Sequence, residues 1–265
     1  EELESFANQL IPGTSEFNNL KNHITSTLFT EGGSRFYDKS ALYHTQGERT
    51  FTYDNGAVFR VGGNFRLYTP KSAGTIFSDT AGTVITNREA GLYGGWEQSF
   101  MDERLKLSAT GRVDKNQNFR ALVSPAVSSV YKATENQTFR LSFSSAIRNP
   151  TLADQYLNYN VGRAVLLGNL DGFDSLVTID NIADYLGKPA NERLSHDFGY
   201  FNVDAIRPEK VKTAEAGYRA TIGSRVFVDA NYYYSLYDDF IGYIIGAEIE
   251  EGTTAIDRLK SLQVY

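Results

Sequence analysis

Residues 57–69 alternate without a break: Ala57, Phe59, Val61, Gly63, Phe65 and Leu67 fall on one side, and Arg60, Gly62, Asn64, Arg66 and Tyr68 on the other. Side chains of an extended strand point to opposite faces in turn, so this period of two dictates a strand with one apolar and one polar face. The same pattern returns in 105–114, where Leu105, Leu107, Ala109, Gly111 and Val113 oppose Lys106, Ser108, Thr110, Arg112 and Asp114. It returns again in 138–148, 212–222 and 226–236. Segments 41–49, 89–100 and 119–131 alternate less cleanly, and the last carries Pro125, which has no N–H to give to a central ladder.

The connections carry a second pattern. Asp54-Asn55-Gly56, 101–104, 132–136 and Gly223-Ser224 read as tight turns, with Asn-Gly and Gly-Ser supplying positive φ at little steric cost. At the opposite strand ends run 70–88 and the sixty residues 149–208, far beyond the usual loop of roughly 4–6 residues. Only 115–118 is short on that side. Short turns on one rim and long loops on the other are the habit of a membrane barrel. Within the long connection, 175–186 places Leu176, Ile179, Ile182, Ala183 and Leu186 at helical spacing, so an amphipathic helix capped by Asp174 is expected there.

A soluble β-sandwich gives the same alternation with its apolar face turned into a core. Two features favour the barrel. Sandwich strands average about 5–6 residues, whereas a tilted spanning strand needs about 9–11, and the best segments here reach ten to thirteen. Aromatic residues also sit near segment ends, as Phe119, Tyr131, Phe139, Trp96, Phe100, Tyr232 and Tyr234 do, where interfacial girdles are expected. With 17 Tyr, 17 Phe, 23 Gly and no Cys, the chain reads as all-β, held by backbone pairing without disulfides. No apolar run approaches the ~20 residues of a spanning helix. The net charge of -6 speaks against nucleic acid as a partner. The opening Glu1-Glu2-Leu3-Glu4 has neither a basic nor an apolar leader region, so it reads as the start of a mature chain or of an internal segment.

Little supports catalysis. His23, His44 and His196 are far apart, no Gly-x-Ser-x-Gly elbow or phosphate loop occurs, and neither a cofactor nor a metal is expected. The stretch from Asn169 to Asp174 has the oxygens of a calcium loop but lacks its later carboxylates, so a polar turn is the expectation. Arg60, Arg66, Arg112, Arg140 and Arg219, with Asp114, Glu215 and Asp229, fall on the polar face, where they would pair across a lumen or brace a plug. Binding groups concentrate on loops held by rigid scaffolds, and the loop after 148 mixes amides, charges and aromatic faces suited to a polar ligand. The candidate ligand-binding residues are Arg148, Asn149, Asp154, Gln155, Tyr156, Asn158 and Tyr159. The same residues also suit ordinary loop packing.

These segments carry a family resemblance in their order and spacing. Val61-Gly62-Gly63-Asn64-Phe65-Arg66-Leu67-Tyr68 is followed by Gly74-Thr75-Ile76-Phe77, then by Arg112-Val113-Asp114-Lys115-Asn116 and Ser124-Pro125. Ile147-Arg148-Asn149-Pro150-Thr151, Asp154-Gln155-Tyr156, Arg207-Pro208-Glu209-Lys210 and Glu215-Ala216-Gly217-Tyr218 complete the series, which spans roughly 11–243. The chain resembles TonB-dependent outer-membrane receptors of the Bacteroidetes type, in the starch-utilisation-like or carboxypeptidase-regulatory-domain-containing branch. It departs at Val113, where that family often has an aromatic residue, and at Ala126, where a basic residue is common.

The resemblance implies an antiparallel transmembrane barrel of about twenty-two strands around a plug, in the outer membrane of a Gram-negative cell. It implies import of a scarce extracellular ligand, coupled to the TonB-ExbB-ExbD system through an N-terminal region outside this segment, as the plug is. Outer-membrane lipid and a surface lipoprotein lid would be further partners. On this view 1–40 is an extracellular loop region with short helical pieces and 41–148 holds transmembrane strands. Residues 149–209 form a long extracellular loop, and 210–265 hold further strands and another loop. The alternative is a receptor-like barrel that serves as a structural or interaction subunit of a larger outer-membrane assembly.

Overall fold

The alternating segments pair into a single wall. In the computed structural model, which describes residues 10–80, 82–193, 197–223, 225–249 and 263–265, helix α1 (Ser15–Ser26) precedes six antiparallel strands. These are β1 (Ala41–Thr52), β2 (Val58–Thr69), β3 (Asn87–Phe100), β4 (Leu105–Asn116), β5 (Leu122–Thr134) and β6 (Gln137–Arg148). The long connection then forms α2 (Leu152–Tyr156), β7 (Asn158–Asn160), β8 (Val165–Leu167), β9 (Phe173–Leu176), α3 (Ile179–Gly187), α4 (Ala190–Arg193) and β10 (Phe201–Val203). The wall resumes with β11 (Glu209–Ile222) and β12 (Val226–Asp238), and the short pair β13 (Ala247–Glu248) and β14 (Gln263–Val264) follows. The strand order is β1-β2-β3-β4-β5-β6-β11-β12. His196, Ser224 and the opening Glu1 to Glu4, singled out above, lie outside the described residues.

Register carries the two faces across the whole wall. One polar row runs His44, Arg66, Glu89, Asn116. On the other face Phe51, Phe59, Trp96 and Ala109 stand in one row, and Phe100, Leu105, Tyr131, Phe139 and Tyr218 in another. These aromatic rows follow the short-turn rim; the rings of Phe139 and Tyr218 are 4.9 Å apart and those of Trp96 and Phe100 6.3 Å. They form the girdle of a membrane barrel.

No described element of the chain covers the apolar face. Leu92 is 72% exposed and Leu141 61%, whereas the clustered core of the described residues lies in the loops, among Val177, Ile182, Tyr185, Phe198, Ala247 and Ile249. A sandwich would bury the first set against a second sheet. Here the eight strands, each of 12 to 14 residues, present it outward, as a lipid-facing wall does. Unpaired amides and carbonyls along β1 and β12 cannot be satisfied in hydrocarbon, so further strands must continue the sheet on both sides.

Three expectations change. The strand expected over 119–131 begins at Leu122: Phe119 is buried in the connection, where its carbonyl accepts from Lys115 Nζ at 2.5 Å. Pro125 sits inside β5 opposite Gly111, yet the ladder to β6 starts only at Ala126, so the missing donor falls where no pairing is asked of it. The helix expected over 175–186 starts at Ile179, and its cap is the hydroxyl of Thr178, which accepts from Asn181 N at 3.3 Å. Residues 173–176 are taken by pairing with β10, which leaves Asp174 too early to cap. The turn at 101–104 holds Met101, Asp102 and Glu103 at φ of 56°, 52° and 66°, a left-handed path that no glycine there announces.

Candidate functional site

At the long-loop end of the polar face, the loop after β6 is folded down onto the strands by its own short helix. Thr151 and Asp154 form a reciprocal cap on α2: the Thr151 hydroxyl accepts from Asp154 N at 3.1 Å, and the Asp154 carboxylate accepts from Thr151 N at 2.7 Å. This fixes Gln155 beneath the helix, where it is buried. Gln155 Nε2 donates to the Pro150 carbonyl at 2.7 Å, and Oε1 accepts from Asn87 Nδ2 at 2.9 Å and Asn118 Nδ2 at 2.7 Å. Asn116 Nδ2 donates to Asn87 Oδ1 at 2.8 Å, and Asn149 Nδ2 to Glu89 Oε1 at 3.0 Å. A buried amide chain satisfied at each link is rigid, because breaking any one bond strands a polar group away from water.

Below this roof lies a cavity of about 690 Å³, walled by Asn64, Arg66, Glu89, Arg112, Asp114 and Asn149. Its charges are held in pairs. Arg112 donates to Asp114 through Nε at 2.7 Å and Nη2 at 2.6 Å, and to Asn64 Oδ1 at 2.6 Å. Arg66 lies 3.6 Å from Glu89, and Arg148 pairs with Glu209 across the β6–β11 ladder. Room for the Arg112 fork comes from Gly91, where a Cβ would lie 2.2 Å from Arg112 Nη2. The site thus presents fixed donors and acceptors, suited to a polar ligand.

A second device steadies the loop between β2 and β3. The carboxylate of Asp79 accepts from the amides of Ser72 at 2.6 Å, Ala73 at 3.0 Å and Gly74 at 2.9 Å, and from the Ser72 hydroxyl. Burial pushes the Asp79 carboxyl up, but these hydrogen bonds outweigh it and hold the group below the usual carboxylate range.

The seven residues expected at the site part company. Arg148, Asn149 and Gln155 line the cavity. Asp154 is engaged in the helix cap, and the Tyr156 hydroxyl accepts from Asn118 Nδ2 at 2.5 Å. Asn158 and Tyr159 border a different hollow of about 740 Å³, where the Tyr159 ring packs 5.5 Å from Phe29 and 5.6 Å from Phe36. Sequence reasoning missed the supporting amides Asn87, Asn116 and Asn118, which nothing in the local pattern distinguishes from ordinary loop residues. The polar-face charges pair along the wall: Arg140 and Arg219 both reach Asp229, at 2.5 and 2.6 Å. Asn169 Oδ1 accepts from Gly172 N at 2.8 Å, so that stretch is a polar turn. Among the described residues no group of three or more His, Asp or Glu is placed to hold a metal.

The family model for the TonB dependent receptor-like beta-barrel matches residues 5–256. Two solved structures are similar in fold. The siderophore receptor PirA from Pseudomonas aeruginosa is 16% identical, with 76% of this chain and 32% of that one covered and a TM-score of 0.53. The siderophore receptor PirA from Acinetobacter baumannii is 15% identical, with 89% and 33% covered and a TM-score of 0.50. The chain therefore spans about a third of the length of either, and at these identities the likeness speaks for the fold alone. A search of the curated proteins finds no significant match. The chain belongs to the TonB-dependent receptor β-barrel family, and its eight strands are a stretch of barrel wall from a Gram-negative outer membrane.

Proposed function

We propose that the polypeptide containing this wall captures a scarce polar ligand at its long-loop rim and imports it with energy from TonB-ExbB-ExbD. The observation that carries this reading is the roofed polar cavity of about 690 Å³, because its hydrogen-bonding groups are held in place before any ligand arrives. Arg148, Asn149 and Gln155 are our binding-site candidates there. Asp154, Tyr156, Asn158 and Tyr159 support the same loop. A metal chelate is the ligand class we favour: its polar periphery suits these groups, and both PirA proteins are described as siderophore receptors. An oligosaccharide or a peptide is the alternative outcome.

The test is uptake of radiolabelled ferric chelates by cells carrying the full-length receptor. Uptake should vanish when TonB is removed, and Asn149→Ala should raise the half-saturating concentration about tenfold, the value of one hydrogen bond to a charged group. Uptake that ignores both changes sinks the reading.

A second reading, of a receptor-like subunit in a larger assembly, is favoured by one observation. On the loop after β12, Phe240 is 79% exposed and Tyr243 fully so, with Ile244 and Ile245 beside them. Such an apolar patch suits a protein partner. A surface lipoprotein lid of the starch-utilisation type, in a Bacteroidetes cell, is the partner we assign to it. Co-purification of a lipoprotein with the full-length protein, lost in Tyr243→Ser, together with no TonB-dependent uptake by the wild type, favours the assembly; recovery of the receptor alone from native membranes counts against it.

A further inference from the structure

The lipid-facing side of the wall carries a hollow of its own. A cavity of about 640 Å³ lies between Trp96 on β3 and Tyr232 and Tyr234 on β12, over Ala109, Ala214 and Ala216. Register places what stands above it. The row Phe143, Ala214, Tyr234 is followed, one pleat nearer the long-loop rim, by Ser145, Lys212, Leu236. A hydroxyl and an ammonium thus stand in neighbouring register positions, one pleat beyond the lining of an aromatic-walled apolar hollow.

Lys212, like Arg88 on β3, stands at this end of the outer face without an ion-pair partner among the described residues. Lys210 is paired with Asp239 at 2.6 Å, and Lys115 donates to the Phe119 carbonyl at 2.5 Å. Lys212 is exposed and has neither an ion-pair nor a hydrogen-bond partner among the described residues. An unpaired charge on a lipid-facing surface is unfavourable unless it reaches headgroups or water. Lys212 lies six positions along β11 from Tyr218 in the aromatic girdle. At about 3.4 Å per residue and a tilt of about 40°, its Cα stands roughly 15 Å above that girdle, and its stem extends toward the far edge of an apolar band about 25 Å tall. That edge is where lipid phosphates lie.

We propose that this face is a site for one phosphorylated lipid of the outer leaflet, its acyl chain in the hollow and its phosphate held by Lys212 and Ser145. The assignment of leaflet rests on the long-loop rim facing outward. The aromatic walls and alanine floor select a hydrocarbon chain by shape, and the Lys212 ammonium selects anionic over zwitterionic headgroups.

The test is native mass spectrometry of the full-length receptor in detergent, titrated with palmitoyl-oleoyl phosphatidylglycerol or with phosphatidylcholine of the same chains. The wild type should hold one phosphatidylglycerol about tenfold more tightly than phosphatidylcholine, the scale of one charge-assisted hydrogen bond. Lys212→Ala should abolish that preference and Lys212→Arg should keep it. Ala216→Trp should weaken both lipids by filling the hollow. Heat-dependent gel migration like that of the wild type shows that each variant is folded. A preference that survives Lys212→Ala overturns the proposal, as does complete displacement of the lipid by inorganic phosphate, which would mean that the headgroup alone is recognised.

Discussion

The side chain of Asn87, at the start of β3, donates to Gln155 beneath α2 at 2.9 Å across 68 residues of sequence. This contact fastens the loop after β6 to the top of the wall and fixes the roof of the polar cavity. Replacing Gln155 with Ala leaves the amides of Asn87 and Asn118 without their shared acceptor in a buried place. The expected cost is about 1–3 kcal/mol, felt locally as an open loop. Limited proteolysis of the full-length receptor should show faster cutting within 149–157, while the barrel keeps its heat-dependent gel migration.

Acid should loosen the loop between β2 and β3. The folded-state pKa of Asp79 lies below its unfolded value, because hydrogen bonds from Ser72, Ala73 and Gly74 outweigh the effect of burial. Its contribution is therefore complete above the unfolded carboxylate pKa, near 3.9, and is lost as pH falls through the lower folded value. Hydrogen exchange of the Ala73 and Gly74 amides should accelerate through that acid window beyond the intrinsic pH dependence. Asp79→Asn should raise their exchange at neutral pH and remove the additional acid step.

The loop after β6 and the segment after β12 fold as one unit. Val177 and Ala247 exchange backbone hydrogen bonds at 2.8 Å in both directions, and Tyr185 and Phe198, 5.0 Å apart between ring centroids, fill the small core beside them. Tyr185→Ala should remove about 3–5 kcal/mol from this unit by opening a cavity in it. Trypsin should then cut near Lys188 and Arg193, with the wall intact. Unfolding of the wall in the same variant would show that cap and wall are a single cooperative unit.

The wall was legible in the sequence because membrane strands obey a strict local rule. Residues 57–69, 105–114 and 138–148 each state their two faces within a dozen positions, and β2, β4 and β6 follow them within two residues at either end. Asp54-Asn55-Gly56 announced its turn through Gly56, which takes φ of 78°. The site was only partly legible. Arg66, Arg112 and Asp114 could be assigned to the polar face by counting. Nothing local shows that Asn87, Asn116 and Gln155 meet, since that depends on strand register and on where α2 lands. Asp154 looked like a ligand-binding carboxylate, and its neighbour Thr151 carried the unused clue: Thr-x-x-Asp is the spacing of a reciprocal helix cap. The helix start at Ile179 was misread because β9 and β10 pair through residues whose own pattern favours helix.

The two faces of the wall can be tested directly, because this stretch has no native cysteine. Single cysteines at Ser108, Thr110, Ser128 and Ser142, and at Leu107, Ala109, Val127 and Leu141, should be made in the full-length receptor in its native outer membrane. Each is then exposed to a charged, water-soluble maleimide. A lumen-facing polar side and a lipid-facing apolar side predict labelling of the first four and protection of the second four. Equal labelling of both sets, or the reverse alternation, would contradict the account.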